Sequence, residues 1–161
     1  MSGRFSRTIV GLESARALAG RPLSIPKGRP RGAKADGIRY EKLLAKALAP
    51  LGFEHGRWFE FVDANGYGYC SPDFILVENL RVIVVEAKLT DGIAARHQLE
   101  NLYCPVLTKV FGRLVHPIIV LRHLTRESPS NLVHDSMSSA MALRQWRPPA
   151  VVHWLGRGPL A

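Results

Sequence analysis

The sequence predicts an α/β fold, an α/β/α sandwich with a central mixed β-sheet, preceded by a disordered basic arm. Short apolar runs rich in β-branched residues, which suit buried strands, alternate with segments whose apolar residues recur at helical intervals. Read along the chain, the order is arm, helix, three strands, helix, strand, helix and strand. A chain of 161 residues with 47% apolar content can bury one core, so we expect a single domain over residues 36–161.

Positive charge is concentrated in residues 1–35, which we expect to form a flexible arm. This segment holds eight Lys or Arg residues against Glu13 alone, a net +7 of the chain's +9. Such a segment favours binding to a polyanion, because neutralised phosphates release condensed counterions. The candidate nucleic-acid contacts are Lys27, Arg29, Arg31 and Lys34.

Residues 26–32 of the arm read Pro-Lys-Gly-Arg-Pro-Arg-Gly and resemble an AT-hook, a short basic element that lies in the minor groove of AT-rich DNA. A narrow groove concentrates negative potential and accepts an extended arginine. Two alternatives stay open. One is a targeting segment, since the first 25 residues are rich in arginine and poor in acidic residues, and the other is a plain basic tail.

A first helix is predicted over residues 37–49, with Asp36 as its N-cap and one apolar stripe along its length. A strand is predicted next over residues 57–62, and a turn over residues 63–66. In this strand we expect Glu60 to face water and Asp63 to serve the turn.

Residues 72–88 are the most informative stretch for function. Two apolar runs flank a short polar connection around Asn79, which is typical of two adjacent strands joined by a tight turn. Asp73 opens the first strand, and Glu86 and Lys88 close the second on the same face, two residues apart. A hairpin would bring these three side chains together at one end of the sheet, where carboxylate oxygens could bind Mg²⁺ or Mn²⁺.

The arrangement resembles the PD-(D/E)XK nuclease superfamily, whose pattern appears here as Pro72-Asp73 and Glu86-Ala87-Lys88. The resemblance covers about residues 36–124 and implies a restriction-endonuclease-like core. It also implies that Asp73 and Glu86, with the Ala87 carbonyl, bind metal and that Lys88 positions the attacking water. On this basis we expect a Mg²⁺-dependent DNA endonuclease, for which a homodimer would suit the cutting of two strands.

Two further residues are candidates for the same site. Many members of the superfamily carry an acidic residue on the helix before the core sheet, which here would be Glu41; the alternative is an ordinary glutamate near a helix N-terminus. Some branches place a Gln and a Tyr on the helix after the motif lysine. That helix is predicted here from Thr90 or Asp91 to about Lys109, with Gln98 facing the site. Because Tyr103 lies five residues later, we expect it to diverge around the axis and to be part of the core or the groove wall.

The remaining composition excludes other classes of protein. Cys70 and Cys104 form neither a disulfide framework nor a paired zinc motif, which favours a reducing, cytoplasmic or nucleoid-associated location. No apolar run reaches the length of a membrane span, so no membrane partner is expected. Two alternatives to the endonuclease stay open: a resolvase that acts on branched DNA, and a nucleic-acid-binding or assembly protein that keeps the fold without turnover.

Overall fold

The computed structural model describes residues 7–25, 31–126, 128, 133–134, 136–143 and 148–160. Within these ranges the central sheet has six strands in the order β2-β5-β6-β7-β9-β8. The edge strands β2 and β8 have two residues each. The strands are β2 (Glu54–His55), β5 (Phe74–Val77), β6 (Arg81–Thr90), β7 (Leu114–His123), β8 (Val133–His134) and β9 (Ala150–His153).

The sheet is mixed, because it contains both antiparallel and parallel strand pairs. β5 runs antiparallel to its two neighbours, β2 and β6, whereas β6, β7, β9 and β8 run parallel to one another. The carboxyl ends of the parallel strands therefore meet at one edge, where ligands commonly bind in open α/β sheets. The predicted α/β fold with a central mixed sheet is confirmed.

Helices cover both faces of the sheet. One face packs on α1 (Ala33–Leu48) and α4 (Met137–Met141). The other packs on a continuous helical segment: α2 (Ile93–Gln98), a π-helical stretch (Leu99–Tyr103) and α3 (Cys104–Phe111). None of the described helices has both the length and the apolar character needed to cross a bilayer.

A second, three-stranded antiparallel sheet packs on the α2–α3 side in the order β1-β3-β4. Its strands are β1 (Ser14–Ala17), β3 (Phe59–Asp63) and β4 (Gly66–Cys70). The prediction of a disordered arm is therefore wrong for residues 14–17, which pair with β3 from Ser14↔Val62 to Ala17↔Phe59. Residues 26–30, which hold Lys27, Arg29 and most of the AT-hook resemblance, lie outside the described residues.

The first helix differs from the prediction at its start. α1 begins at Ala33, after Gly32 with its positive φ of 58°, so Asp36 is not the N-cap. Asp36 instead lies in the first turn, where a carboxylate interacts favourably with the helix dipole, and pairs with Arg39 at 2.6 Å. The helix is anchored by Tyr40, whose buried hydroxyl donates to the Trp154 carbonyl at 2.7 Å.

Candidate active site

Asp73 and Glu86 are brought together by the hairpin of β5 and β6. The predicted pairing about Asn79 is confirmed, with partners from Phe74↔Val85 to Val77↔Val82. Asp73 lies one residue before this ladder and Glu86 one residue after Val85, so the two carboxylates oppose each other. The Asp73 Oδ2 accepts a hydrogen bond from the Ala87 N–H at 2.8 Å, which holds the Asp73 carboxylate beside β6.

The Glu86 carboxylate is buried, and only one of its two oxygens accepts a hydrogen bond from a described residue. The residue is 2% exposed, and its Oε1 accepts a hydrogen bond from the Lys88 Nζ at 2.7 Å. Among the described residues, no group donates a hydrogen bond to Oε2. A buried oxygen without a partner carries a desolvation cost of about 1–3 kcal/mol, more when it is charged. A cation bound beside it would remove that cost.

The electrostatics of the site would favour the binding of an additional cation. Burial raises the pKa of Asp73 well above its usual value, and the charges of Glu86 and Glu41 add to the effect. Burial also raises the pKa of Glu86, although Lys88 opposes this. For Lys88, burial by itself lowers the pKa, but the ion pair with Glu86 and the nearby Asp73 outweigh burial and raise it. One ammonium group therefore faces several carboxylates.

Glu41 lies within electrostatic range of both buried carboxylates, although it is on α1. Its Oε1 is 2.7 Å from the Nε2 of His55 on the edge strand β2. The His55 ring in turn stacks on Phe74, the first residue of β5, with centroids 4.8 Å apart. His55 was not singled out from the sequence. Its two-residue strand gives no periodic signal, and its contact with Glu41 depends on tertiary packing.

Gln98 and Tyr103 contact each other, and the prediction that they diverge around the helix axis is wrong. The Gln98 Nε2 donates a hydrogen bond to the Tyr103 hydroxyl, which lies 3.3 Å from the Ser71 carbonyl oxygen, two residues before Asp73. The reason is the π-helical stretch, in which residues five apart share a face. Burial and the charges of Glu86 and Asp73 raise the pKa of Tyr103 well above its usual value. Tyr103 thus belongs to the wall of the site.

The few oxygen ligands at this site suit a Mg²⁺ or Mn²⁺ ion that keeps several waters better than a metal ion bound entirely by protein ligands. In the part of the chain that the structure describes, no group of three or more His, Cys, Asp or Glu side chains is arranged to hold a metal. Mg²⁺ commonly binds through one or two carboxylates and keeps several waters. Asp73 and Glu86, with the Ala87 carbonyl, match that requirement, and the unpartnered Glu86 Oε2 is the observation that supports the fit.

The other predicted residues lie apart from this cluster. Arg31 and Lys34 are exposed, just before α1 and in its first turn. Asp63 serves the turn as predicted, because its Oδ1 accepts from the Asn65 N–H at 2.9 Å. Glu60 does not face water freely: it is 9% exposed and accepts hydrogen bonds from Arg16 and Tyr67.

Comparisons with known proteins do not identify a family. No protein-family model and no curated protein sequence matches the chain. A solved structure described as a type III CRISPR defence DNA nuclease activated by cyclic oligoadenylate is similar at 18% identity and a TM-score of 0.38. The match covers 63% of this chain and only 16% of that one. The chain thus spans less than a fifth of that protein's length.

Proposed function

We propose that this protein is a metal-dependent nuclease that hydrolyses phosphodiester bonds, as an endonuclease acting on DNA. One observation carries the proposal: Asp73 and Glu86 are buried and opposed beside a protonated lysine, and one Glu86 oxygen has no hydrogen-bond partner among the residues that the structure describes. Carboxylates with raised pKa values that crowd around one cation are typical of functional sites, since a purely structural cluster would be better neutralised.

In this proposal, Asp73, Glu86 and the Ala87 carbonyl would hold Mg²⁺ or Mn²⁺. Such an ion, when bound, supplies charge that polarises the scissile phosphate and acidifies an attached water. Lys88 remains protonated and, with its side chain 36% exposed, can orient the attacking water and offset negative charge on the phosphate. Glu41 adds negative charge near Asp73 and Glu86 and is held in place by His55.

Gln98 and Tyr103 have a supporting role. Their hydrogen bond, together with the contact between the Tyr103 hydroxyl and the Ser71 carbonyl, ties the α2–α3 segment to the loop that carries Asp73. The Tyr103 hydroxyl is protonated at neutral pH, as tyrosines ordinarily are, and donates to the Ser71 carbonyl oxygen. Arg31 and Lys34 add exposed positive charge, which we expect to make binding of the nucleic acid sensitive to salt.

The test is cleavage of linear, closed circular and branched DNA, and of RNA, with Mg²⁺, Mn²⁺ or EDTA. Lys88→Ala should abolish metal-dependent cleavage, whereas Lys109→Ala, an exposed lysine on α3, should not. Cutting of closed circles would establish an endonuclease, and preference for branched DNA a resolvase.

Cleavage that survives in a normally folded Lys88→Ala protein would contradict the proposal. Binding without cleavage on every substrate would instead favour a nucleic-acid-binding or assembly protein that keeps the fold.

A further inference from the structure

The outward side of the three-stranded sheet carries two tyrosines on one edge strand. In β3 and β4 the alternate residues Phe59, Phe61 and Cys70 are in the core, so their neighbours along the strands point away from it. Tyr67 is 55% exposed, and Tyr69 is partly exposed two residues later. We call this side the tyrosine face; its residues are Ser14, Arg16, Glu60, Val62, Tyr67 and Tyr69.

The rings of the tyrosine face are held in fixed positions. The Tyr67 hydroxyl donates a hydrogen bond to Glu60, and the ring meets Tyr69 edge to face with centroids 5.2 Å apart. Between them, Gly68 lies so close to the Phe61 ring that an added Cβ would be 2.6 Å from it. Rings fixed before binding lose little conformational entropy when a planar group stacks on them.

The tyrosine face has no net charge, and its one arginine remains accessible. Its one carboxylate, Glu60, accepts hydrogen bonds from both Arg16 and Tyr67, and these contacts lower its pKa. The Arg16 side chain remains 72% exposed and can contact a phosphate at the same time. A pocket of about 280 Å³ lies beside Arg16, Glu60 and Tyr67.

The tyrosine face is joined to the candidate active site by a short piece of chain. β4 ends at Cys70, and Asp73 follows Tyr69 by four residues, a distance of at most about 14 Å along an extended chain. The intervening Ser71 is tied to the site wall, since its carbonyl oxygen is 3.3 Å from the Tyr103 hydroxyl. The tyrosine face therefore lies within about 14 Å of Asp73, measured along the chain from Tyr69.

We infer that the tyrosine face binds unpaired nucleotides, which stack on Tyr67 and Tyr69 while Arg16 contacts the phosphates. Single strands bind proteins in this way, through aromatic rings beside a positively charged groove. The inference deepens the proposed nuclease function and rests on it for the cleavage step alone. The substrate would then be a nucleic acid with a single-stranded segment next to the cut site.

The test measures binding separately from cleavage, by fluorescence anisotropy in EDTA. The probes are labelled oligothymidylate and a blunt duplex of the same length. Tyr67→Ala and Tyr69→Ala should each weaken binding of oligothymidylate by about fivefold to a hundredfold, the usual effect of losing one stacked base. Tyr69→Phe keeps the ring and should bind as the parent does, whereas Tyr67→Phe also loses the hydrogen bond to Glu60 and should weaken binding less than Tyr67→Ala. Leu80→Ala, in the distant turn between β5 and β6, is the surface control.

A crosslinking experiment on the parent protein avoids any question of folding. Irradiation with an iodouracil-substituted single strand should give adducts at Tyr67 or Tyr69, located by mass spectrometry. Unchanged affinity for oligothymidylate in both alanine variants, or an equal loss on the duplex, would overturn the inference. Tyrosine-dependent binding by a parent protein that cleaves no substrate would overturn the nuclease proposal instead.

Discussion

Two pairs of carboxylates in this protein have opposite surroundings. On β3, Asp63 and Glu60 are each paired with an arginine from the N-terminal segment, Arg7 and Arg16. These contacts lower the pKa of Glu60, and for Asp63 they outweigh the effect of burial, which by itself would raise its pKa.

Asp73, just before β5, and Glu86, within β6, are buried near each other and near Glu41, and both have raised pKa values. The β3 pair stabilises the fold, whereas the second pair is costly without a bound cation. That contrast is why we propose a functional role for Asp73 and Glu86 and a structural role for Asp63 and Glu60.

The largest effect is expected from Glu86→Gln, which removes the buried charge while keeping the shape. Metal-dependent cleavage should fall about a hundredfold or more, because a bound metal supplies several kcal/mol of transition-state stabilisation. The metal-free protein should nevertheless melt at a higher temperature, because burial disfavours the Glu86 charge more than the ion pair with Lys88 favours it and so raises the pKa of Glu86. Mg²⁺ should raise the melting temperature of the parent but not of the variant.

Glu60→Gln is the matched control for that experiment. It loses a carboxylate that Arg16 and Tyr67 satisfy, so its melting temperature should fall. If both variants shift the melting temperature in the same direction, the contrast between the two pairs is contradicted.

A smaller effect, on stability alone, is expected from Asp63→Asn. The side chain is fully buried and accepts hydrogen bonds from Arg7, from the Val10 N–H and from the Asn65 N–H. Its loss should lower the melting temperature and increase proteolysis near residues 7–10, which these bonds hold against β3. Asp36→Asn, which removes an exposed pair with Arg39 and a surface interaction with the helix dipole, should change the melting temperature little. Equal shifts in the two variants would refute the structural role of Asp63.

The smallest expected effect is on the pH dependence of unfolding in the absence of metal. Raised pKa values mean that folded Asp73 and Glu86 hold more protons than the unfolded chain, so their contribution to stability falls as the pH rises above about 4. Lowered pKa values for Glu60 and Asp63 give stability that is present above about pH 4 and lost as the pH falls.

Urea unfolding of the parent, an Asp73→Asn/Glu86→Gln variant and a Glu60→Gln/Asp63→Asn variant would measure these slopes. The first variant should flatten the decline at higher pH, and the second should flatten the loss in acid. Slopes that match the parent in both variants would show that other groups set the pH dependence.

Features that depend on local sequence were predictable. The hairpin of β5 and β6 follows from two apolar runs around one turn, and the two-residue spacing of Glu86 and Lys88 places them on one face. Asp73 then has to lie opposite Glu86. The convergence of these three residues required no information from outside the stretch 72–88, although their roles in catalysis stay a prediction.

Features that depend on distant contacts were not predictable. The pairing of Ser14 with Val62 joins positions far apart in the sequence, and the arginine-rich composition around it indicates a solvated arm. The structure uses part of that charge internally, since Arg7 and Arg16 bind Asp63 and Glu60. Charge counted from sequence therefore overstates what the segment can offer to a nucleic acid.

The π-helical stretch at Leu99–Tyr103 sets the orientation of the helix that follows it. It takes up one residue more than an α-helical path between the same two ends would. If the same residues formed an ordinary α-helix instead, everything beyond them would rotate by about 100°. Val106 and Leu107 would then turn away from the core they fill, and Tyr103 would leave Gln98. We therefore expect sequences with this site to keep the five-residue spacing of Gln98 and Tyr103 only together with the π-helical stretch.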